Sequence, residues 1–546
     1  MFGRLLGRRA RPSALLALAV CCGAAWALPL AAAQCGTLEL LRGRVAAAKP
    51  AAPLQTPRAP IEVGERHQFV HAFNAAPVTA TCRWVSERVY IFVEDSRWDE
   101  NGGLVDQGHV DILGRLMEES TPAEAGRGIY DISVEAFGPV PDVDGDGRVA
   151  VVIGAVERPG IIGFFDPNVA THPTPELRWD AVFLEEFAVR RDTYLARGTL
   201  AHEFQHLIHW GQDDDEATWV NEGLSGYAEE LNGYPEADPA AVRAFLGQPG
   251  VGLLFPPFAE NNAAYYGSTY LFMSYMAEEY GAPYIRSLVA QERNGAAGID
   301  AALEAGGWAG DFVGVWSRWN VANYASQDPA LSYGALQGRR DFTLSLEGAL
   351  PLASGFLVGE QWGSVNIIVR AAGDLAIDFV GQELGRFRVW LYGWRGGLGE
   401  LLEVDLADGF SGSGELAGVD SLALIVGRTS RLGSNFDFTV RRFVPTAVAD
   451  GARPEALDLA PAYPNPFNSQ VQLELSLGRG GGARLEVFDV LGRRVRTVAG
   501  GFLGAGRHRF SWDGLDDDGR PAASGVYRVR LLHGGRSLVR SVTLVK

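Results

Sequence analysis

The sequence predicts a multidomain protein in which an α+β domain is followed by two β-sandwich domains. With 546 residues the chain is longer than one hydrophobic core usually spans, and its 47% hydrophobic and 21% charged content is ordinary for globular proteins. Strand-like and helical patterns mix between residues 61 and 330. From about residue 340 onward, short alternating strands separated by Gly and Asp replace them.

Residues 1–33 have the pattern of a secretory signal peptide. A basic start is followed by an apolar run from Ala14 and by small residues, with Ala31–Ala33 as the cleavage site. The alternative is a membrane anchor, but the apolar run is short for a spanning helix and no stop-transfer flank follows. No other segment is apolar enough to span a bilayer. The sequence therefore predicts a secreted or cell-surface protein without a stable membrane span.

The cysteines predict a disulfide in the mature chain. Cys21 and Cys22 would leave with the signal peptide, and neither is preceded by the small residue that a lipoprotein signal needs. Cys35 and Cys82 then remain in an oxidising compartment, where pairing is expected. Two thiols are too few to suggest a cysteine-based metal site. Residues 34–60 are rich in Ala and Pro, which predicts a linker or a short pro-region.

The net charge argues against nucleic acid as a partner. Acidic residues outnumber basic ones 66 to 48, and the formal charge is -18. Such a chain repels phosphate backbones and anionic lipid headgroups. We therefore do not expect a nucleic-acid substrate.

The periodicity divides the chain further. Residues 61–330 contain strand candidates at Arg88–Asp95 and Val149–Val156, and helical patterns dominate from Thr199 to about Tyr324. Residues 340–445 predict a β-sandwich, residues 446–456 a linker, and residues 457–546 a last small β-domain. The absence of a repeat of fixed period disfavours solenoids and propellers.

The motif HEFQH, His202 to His206, predicts a zinc site. Two histidines four residues apart lie on one face of a helix and can share one ion, while Glu203 flanks the ion without binding it. Catalytic zinc takes a third protein ligand and keeps one position open for water. His209 lies on the same face but roughly 10 Å along the axis from His202. Glu222 can approach from a second helix and is preferred. His209 is then a helix-face histidine that is hydrogen-bonded or contacts substrate.

HEFQH followed by WVNEGLSGYAEE resembles the gluzincin metallopeptidases, in particular the hyicolysin-like group of secreted bacterial enzymes, over about residues 61–325. The resemblance implies a zincin-like fold, zinc bound by His202, His206 and Glu222, and Glu203 as the catalytic carboxylate. Gly226 stands where the thermolysin-like pattern has an Asp. Glu229 or Glu230 is therefore expected to replace that Asp as the partner of a zinc histidine.

The chemistry predicted from these residues is hydrolysis of a protein or peptide substrate by a zinc-activated water, with Glu203 as general base. Tyr265 and Tyr266, in NNAAYYGSTYLF, are candidate donors to the oxyanion of the tetrahedral intermediate. The alternative for both tyrosines is packing in the core.

Two acidic segments are further candidates. Asp142, Asp144 and Asp146 alternate with small residues as at the start of a calcium loop, but Ile153 takes the twelfth position and excludes an EF-hand. The alternative is an ordinary acidic turn. The run Asp213–Glu216 predicts a solvated loop, or else a cation-selecting element of the substrate site.

The C-terminal phrases AYPNPFNSQVQLELSL, LEVFDVLGRRVRTV and VTLVK resemble the immunoglobulin-like domains related to flagellar hook-capping protein and the type IX secretion sorting domains, over about residues 457–546. The resemblance implies export with the bacterial secretion machinery as a partner. The alternative is a plain β-sandwich that adheres or spaces. The competing function for the whole chain is a surface-binding or adhesive protein with an inactive peptidase-like domain.

Overall fold

The structure of the protein is a computed structural model. The predicted signal peptide with Cys21 and Cys22, and the predicted linker at 446–456, lie outside the residues that it describes. It describes residues 34–37, 40, 56–74, 76–100, 104–191, 194–234, 239–248, 250–254, 262–308, 310–328, 331–336, 343–395, 398–407, 409–444, 457–478, 481–490, 493–503, 506–517, 519–533 and 536–546.

The described part of the first domain is built on a seven-stranded mixed sheet in the order β1-β6-β7-β5-β4-β3-β2. Strands β4, β5 and β7 are parallel neighbours, whereas β6 runs antiparallel to β7 and β1 runs parallel to β6. The central strands are continuous apolar runs because both faces of the sheet are covered. The strands are β1 Gln34–Cys35, β2 Arg66–Phe69, β3 Val78–Val85, β4 Val89–Glu94, β5 Val149–Gly154, β6 Ile161–Phe165 and β7 Ala181–Glu185.

The two faces of this sheet contribute to separate cores. Ile91 and Val93 on one face pack into a large core shared with the helices, whereas Tyr90 and Phe92 pack into an aromatic cluster on the other face. This alternation follows from the period of two along a strand. The described helices are α1 Gln107–Glu118, α2 Ile129–Phe137, α3 Pro167–Ala170, α4 Glu186–Arg190, α5 Tyr194–Gln212, α6 Thr218–Leu231, α7 Pro239–Leu246, α8 Ala263–Tyr280, α9 Ala282–Val289, α10 Ala296–Ala305 and α11 Phe312–Tyr324.

Glycines allow α5 and α6 to approach their neighbours closely. A Cβ on Gly163 of β6 would lie 2.6 Å from Cγ2 of Thr199 and 3.1 Å from Cγ of Glu203, both on α5. A Cβ on Gly223 of α6 would lie 2.8 Å from the carbonyl oxygen of Thr269 on α8. A side chain at either position would collide with the neighbouring element, so α5 lies close over β6 and α6 lies close against α8.

The second domain consists, in its described residues, of two five-stranded sheets that enclose one core. The β-sandwich architecture expected for residues 340–445 agrees with this arrangement. One sheet also packs on the first domain, because Trp390 and Ile425 belong to the same core as the buried Trp316 of α11. The strands are β8 Thr343–Leu346, β9 Leu352–Leu357, β10 Ser364–Val369, β11 Gly373–Gly381, β12 Phe387–Arg395, β13 Leu398–Glu403, β14 Leu406–Ala407, β15 Ser411–Val419, β16 Ser421–Arg428 and β17 Asn435–Arg442.

The third domain pairs a three-stranded sheet with a four-stranded sheet around a core that includes Trp512. The chain is therefore multidomain, with more strands than helices in the described residues. None of the described helices is long and apolar enough to cross a membrane. The strands of the last domain are β18 Asp458–Leu459, β19 Val471–Leu477, β20 Gly481–Phe488, β21 Arg494–Leu503, β22 Gly506–Trp512, β23 Gly525–His533 and β24 Arg536–Leu544.

The structure corrects two predictions about the N-terminal segment. Residues 34–37 are not part of a linker, because Gln34 and Cys35 form β1 at the edge of the first sheet. The predicted Cys35–Cys82 disulfide is also wrong, since both thiols are free. Cys82 lies on β3, five strand steps from β1, or roughly 24 Å at the usual strand spacing. A disulfide requires Cα atoms within about 7 Å.

Candidate metal centre

The three predicted zinc ligands meet at the contact between α5 and α6. Nε2 of His202 lies 3.3 Å from Oε2 of Glu222, and Nε2 of His206 lies 3.7 Å from the same oxygen. The two imidazole rings are 4.8 Å apart. Ideal tetrahedral zinc with nitrogen and oxygen ligands places those atoms roughly 3.4 Å from one another. The sequence spacing and the tertiary contact thus produce a set of distances that fits one ion.

Each zinc-directed histidine has a hydrogen-bond partner on its other ring nitrogen. Nδ1 of His202 lies 2.7 Å from Oε1 of Glu229, and Nδ1 of His206 lies 3.0 Å from Oδ1 of Asn221. The hydroxyl oxygen of Ser225 also lies 3.1 Å from Nδ1 of His206. An acceptor at Nδ1 favours a proton there, which is the arrangement that presents Nε2 to a metal. Of the two carboxylates expected to replace the missing Asp, Glu229 is therefore the one that contacts a predicted zinc histidine. Glu230 instead accepts a hydrogen bond from Ser274 at 2.5 Å.

The donor atoms of this site are suited to a divalent cation. Nε2 of His202 and both carboxylate oxygens of Glu222 are buried without a hydrogen-bond partner among the described residues. Leaving such atoms unpaired costs about 1–3 kcal/mol each, and more for charged groups. Burial lowers the pKa of His206 to about 4, which keeps its imidazole neutral and able to coordinate. Burial alone would lower the pKa of His202, but Cys35, Glu222 and Glu229 raise it well above its ordinary value, so a metal at Nε2 would have to displace a proton. Two imidazoles and one carboxylate match a known ligand set of catalytic zinc.

Glu203 lies beside this set on α5 and is fully buried. Its Oε2 accepts a hydrogen bond from the hydroxyl of Thr37 at 2.8 Å, and its Oε1 is without a partner among the described residues. Burial raises the pKa of Glu203 to about 7, against the lowering effects of His202 and Thr37. A bound dication would lower it again. The carboxylate therefore lies beside the predicted ligands, and one of its oxygens has no partner among the described residues.

Cys35 is the residue that the sequence did not place at this site. Its Sγ lies 3.4 Å from Nε2 of His206, and one ligand atom from each of Cys35, His202, His206 and Glu222 lies within 4.8 Å of the others. Pairing between β1 and β6 brings it here from a position 171 residues away in the chain. No local sequence pattern signals such a contact.

The acidic segment after α5 is solvated only in part: Asp215 is exposed and Asp213 and Asp214 are partly exposed. Glu216 is buried, and Oδ2 of Asp213 and Oε2 of Glu216 have no hydrogen-bond partner among the described residues. Burial raises the pKa of Glu216 to about 7. His209 is also buried, and its Nδ1 lies 3.1 Å from Oδ1 of Asn221. His209 is therefore hydrogen-bonded, as one of the two predicted roles requires, and it lies beside Asp213 and Glu216.

The two tyrosines on α8 have different surroundings. The hydroxyl of Tyr265 donates a short hydrogen bond to Glu360 of the second domain. This contact uses the hydroxyl at the boundary between two domains and argues against the predicted oxyanion role of Tyr265. For Tyr266, half-buried one residue later, that role stays a prediction.

The three aspartates of the predicted calcium loop do come together, with one oxygen of each within 4.8 Å of the others. Gly145 and Gly147, with φ of 79° and 74°, form the tight turn between them. Nε of Arg58, however, donates to Oδ2 of Asp144 at 3.0 Å. This guanidinium already supplies a positive charge, so Asp142, Asp144 and Asp146 fit calcium less completely than the first set fits zinc. Calcium binding stays a prediction.

Comparison with known proteins identifies the last domain alone. Residues 468–533 match the family described as FlgD Ig-like domain. The C-terminal domain is therefore immunoglobulin-like, as its sequence resemblance implied. No curated protein matches the chain significantly.

Solved structures resemble parts of the chain weakly. PorZ of Porphyromonas gingivalis, described as an essential surface component of the type IX secretion system, is 19% identical over 20% of this chain and 14% of its own, with a TM-score of 0.13. Latent PorU of the same organism is 17% identical over 32% of this chain and 18% of its own, with a TM-score of 0.15. A β-glucuronidase of Faecalibacterium prausnitzii is 11% identical over 33% of this chain and 36% of its own, with a TM-score of 0.11. The matches span well under half of each relative, and these TM-scores are too low to indicate a shared overall fold.

Proposed function

We propose that the protein is a secreted, zinc-dependent peptidase of the gluzincin type, with a zincin-like first domain. The observation that carries the proposal is the convergence of buried, closely spaced donor atoms from His202, His206 and Glu222. Among the described residues, Nε2 of His202 and both carboxylate oxygens of Glu222 have no hydrogen-bond partner. Glu203 beside them adds a proton acceptor that simple metal storage would not need. A surface-binding protein with an inactive peptidase-like domain, the competing function, would have no use for that carboxylate.

Zinc bound to these residues would lower the pKa of a water molecule and polarise a peptide carbonyl. Oε1 of Glu203, which has no partner among the described residues, is free to accept the proton of the attacking water. The same carboxyl group then donates that proton to the leaving amine. Glu229 and Asn221 hold the two imidazoles in the tautomer that this arrangement requires.

The proposal is tested by metal content. We expect His206→Ala to contain one zinc ion fewer per chain than the wild type while retaining its circular dichroism spectrum. His172→Ala serves as the control, because His172 lies in a half-exposed turn outside the centre. Equal zinc content in the wild type and His206→Ala would contradict the proposal.

We further propose that the last domain directs the chain to the bacterial secretion machinery, and that the protein functions outside the cell or on its surface. The immunoglobulin-like assignment of residues 468–533 and the sorting-domain resemblance of residues 457–546 support this. Deleting residues 457–546 is expected to retain the folded chain in the periplasm of a bacterium with a type IX system. Unchanged export of the truncated chain would contradict the proposal.

A further inference from the structure

We infer that the Cys35 thiolate is the fourth zinc ligand and that residues 34–37 hold the protein in a form closed to substrate. This inference rests on the proposed zinc peptidase. It concerns the coordination position that a catalytic zinc site leaves to water.

The first step is the position of the thiol. Sγ of Cys35 lies 3.4 Å from Nε2 of His206, and tetrahedral zinc with one sulfur and one nitrogen ligand separates these atoms by roughly 3.5 Å. The same thiol belongs to the cluster that includes His202 and Glu222. The four donors therefore have the spacing of a closed, four-coordinate site. Coordination requires only that the thiol release its proton to solvent, and water can later displace the thiolate without a redox step.

The second step is the way the segment is anchored. Cys35 pairs with Gly163 in parallel register, and the amide of Gly36 donates to the carbonyl oxygen of Gly163 at 2.9 Å. A Cβ on Gly36 would lie 2.9 Å from atoms of both Phe164 and Phe73. The segment therefore lies against β6 so closely that a side chain at position 36 has no room.

The third step is the contact with the general base. The hydroxyl of Thr37 donates to Oε2 of Glu203 at 2.8 Å and accepts the amide hydrogen of Phe165 at 2.8 Å. Two residues of one short segment thus contact both reactive parts of the site, the metal ligands and the proton acceptor.

The fourth step is the edge of the sheet. Extended peptides commonly bind to an enzyme or receptor by adding a strand to a free sheet edge. In the described sheet β1 occupies the outer edge of β6, the strand that lies beside α5 and the metal ligands. A substrate strand could pair with β6 at this edge only after residues 34–37 had left it.

Cobalt substitution tests the inference independently of activity. The intact chain, with Cys35 verified by mass spectrometry, is stripped of metal and loaded with Co²⁺. We expect a thiolate-to-cobalt charge-transfer band that is present in the wild type, absent in Cys35→Ser and retained in Cys82→Ser, whose thiol contacts the carbonyl of Trp84 instead. If the wild type binds a cobalt ion that Glu222→Gln loses, and this ion gives no such band, the role of Cys35 is overturned and the metal centre stays intact. No cobalt bound by any variant would overturn the metal centre itself.

Activity gives a second readout. Casein cleavage by Cys35→Ala is expected to exceed that of the intact wild type by about tenfold or more, since a tethered ligand acts at millimolar effective concentration. Equal rates would count against the closed form.

A separate observation supports a second metal site. We propose that His209, Asp213 and Glu216 bind a divalent transition-metal ion, for which zinc is the reference. One ligand atom of each lies within 4.8 Å of the others. His209 is 0% exposed, and its Nε2 is buried without a partner among the described residues. This imidazole is what separates the cluster from an ordinary acidic loop, because it favours a transition metal over calcium.

The tautomer of His209 supports the same assignment. Oδ1 of Asn221 lies 3.1 Å from Nδ1 of His209 and 3.0 Å from Nδ1 of His206. This amide oxygen favours a proton on Nδ1 of both histidines. The Nε2 lone pair of each ring is then available for metal coordination. Two carboxylates would neutralise a dication at the second site.

Metal stoichiometry tests this site. We expect two zinc ions per wild-type chain after equilibration with zinc, and one in His209→Ala and in Glu216→Gln. Glu304→Gln, which removes the same charge from an exposed position on α10, should retain two. Retention of two ions by both cluster variants would overturn the second site. Glu222→Gln, which is expected to lose the other ion, reports on the proposed function separately.

Discussion

Oε1 of Glu229 lies 2.7 Å from Nδ1 of His202, on the ring nitrogen opposite the one directed at Glu222. The carboxylate comes from the last turn of α6, two turns after the proposed ligand Glu222 on the same helix. One helix therefore provides a proposed metal ligand and the carboxylate that contacts the other ring nitrogen of His202, and rotation of α6 would disturb both.

Replacing Glu229 is expected to weaken zinc binding. In Glu229→Gln the ring of His202 loses its anionic acceptor, and such losses reduce metal affinity by about 10- to 100-fold. Competition with a chelator measures the change. Glu230→Gln is the matched control, because Glu230 accepts from Ser274 and not from a zinc histidine. Equal zinc affinity in the two variants would show that Glu229 does not support the centre.

Tyr265→Phe is expected to affect stability and not turnover. Removing the hydroxyl leaves Glu360 without this hydrogen bond, which lowers the free energy of unfolding by about 1–3 kcal/mol. Denaturant unfolding and casein cleavage measure the two effects. If Tyr265→Phe abolished turnover at unchanged stability, the assignment of Tyr265 to the domain boundary would be wrong.

Tyr266→Phe tests the remaining oxyanion candidate, for which a loss of about 100-fold or more in turnover is expected.

His71 makes stability depend on pH below neutrality. It is 7% exposed, its ring lies 5.0 Å from that of Phe164 and 4.9 Å from that of Phe183, and burial lowers its pKa to about 4. The unfolded chain protonates this residue near pH 6.5, so stability is fully present above that pH. It falls as the pH decreases from about 6.5 to 4, by at most about 3 kcal/mol from this group.

His71→Phe removes the group that takes up a proton when the chain unfolds, and it keeps an aromatic ring among aromatic neighbours. Thermal unfolding of both proteins near pH 7.5 and near pH 5 measures the effect. The wild type is expected to lose more stability than the variant on acidification. An equal loss of stability in both proteins would mean that the pKa of His71 is the same in the folded and the unfolded chain.

The calcium prediction is tested by cation addition. If Asp142, Asp144 and Asp146 bind calcium, its addition to chelated protein raises the melting temperature of the wild type and not that of Asp142→Asn. Restoration by zinc alone would assign the effect to the transition-metal sites. No calcium response in the wild type would leave these residues as a turn closed by Arg58.

The sequence was informative wherever the chemistry was local. The i, i+4 spacing of His202 and His206 on a helix, and a following helix with Glu222, could be predicted because both features depend on neighbouring residues. Glu229 could be limited to one of two adjacent carboxylates. The choice between them needed the packing of α6 on α5.

The parts that could not be predicted depend on long-range contacts. Cys35 reaches the centre through strand pairing between segments about 130 residues apart, and composition indicated a linker there. The predicted disulfide was wrong because the sheet order separates Cys35 from Cys82. The acidic run was read as solvated because charge alone does not reveal that the helix end turns Asp213 and Glu216 toward His209.

The most direct test of the central claim is casein cleavage by Glu203→Gln, measured in both the wild-type and the Cys35→Ala background at verified zinc content. Removal of the proton acceptor is expected to lower turnover by about 100- to 10,000-fold without loss of zinc. Equal cleavage with Glu203 and with its glutamine substitute, in zinc-loaded protein of the open Cys35→Ala background, would contradict peptide hydrolysis at this centre.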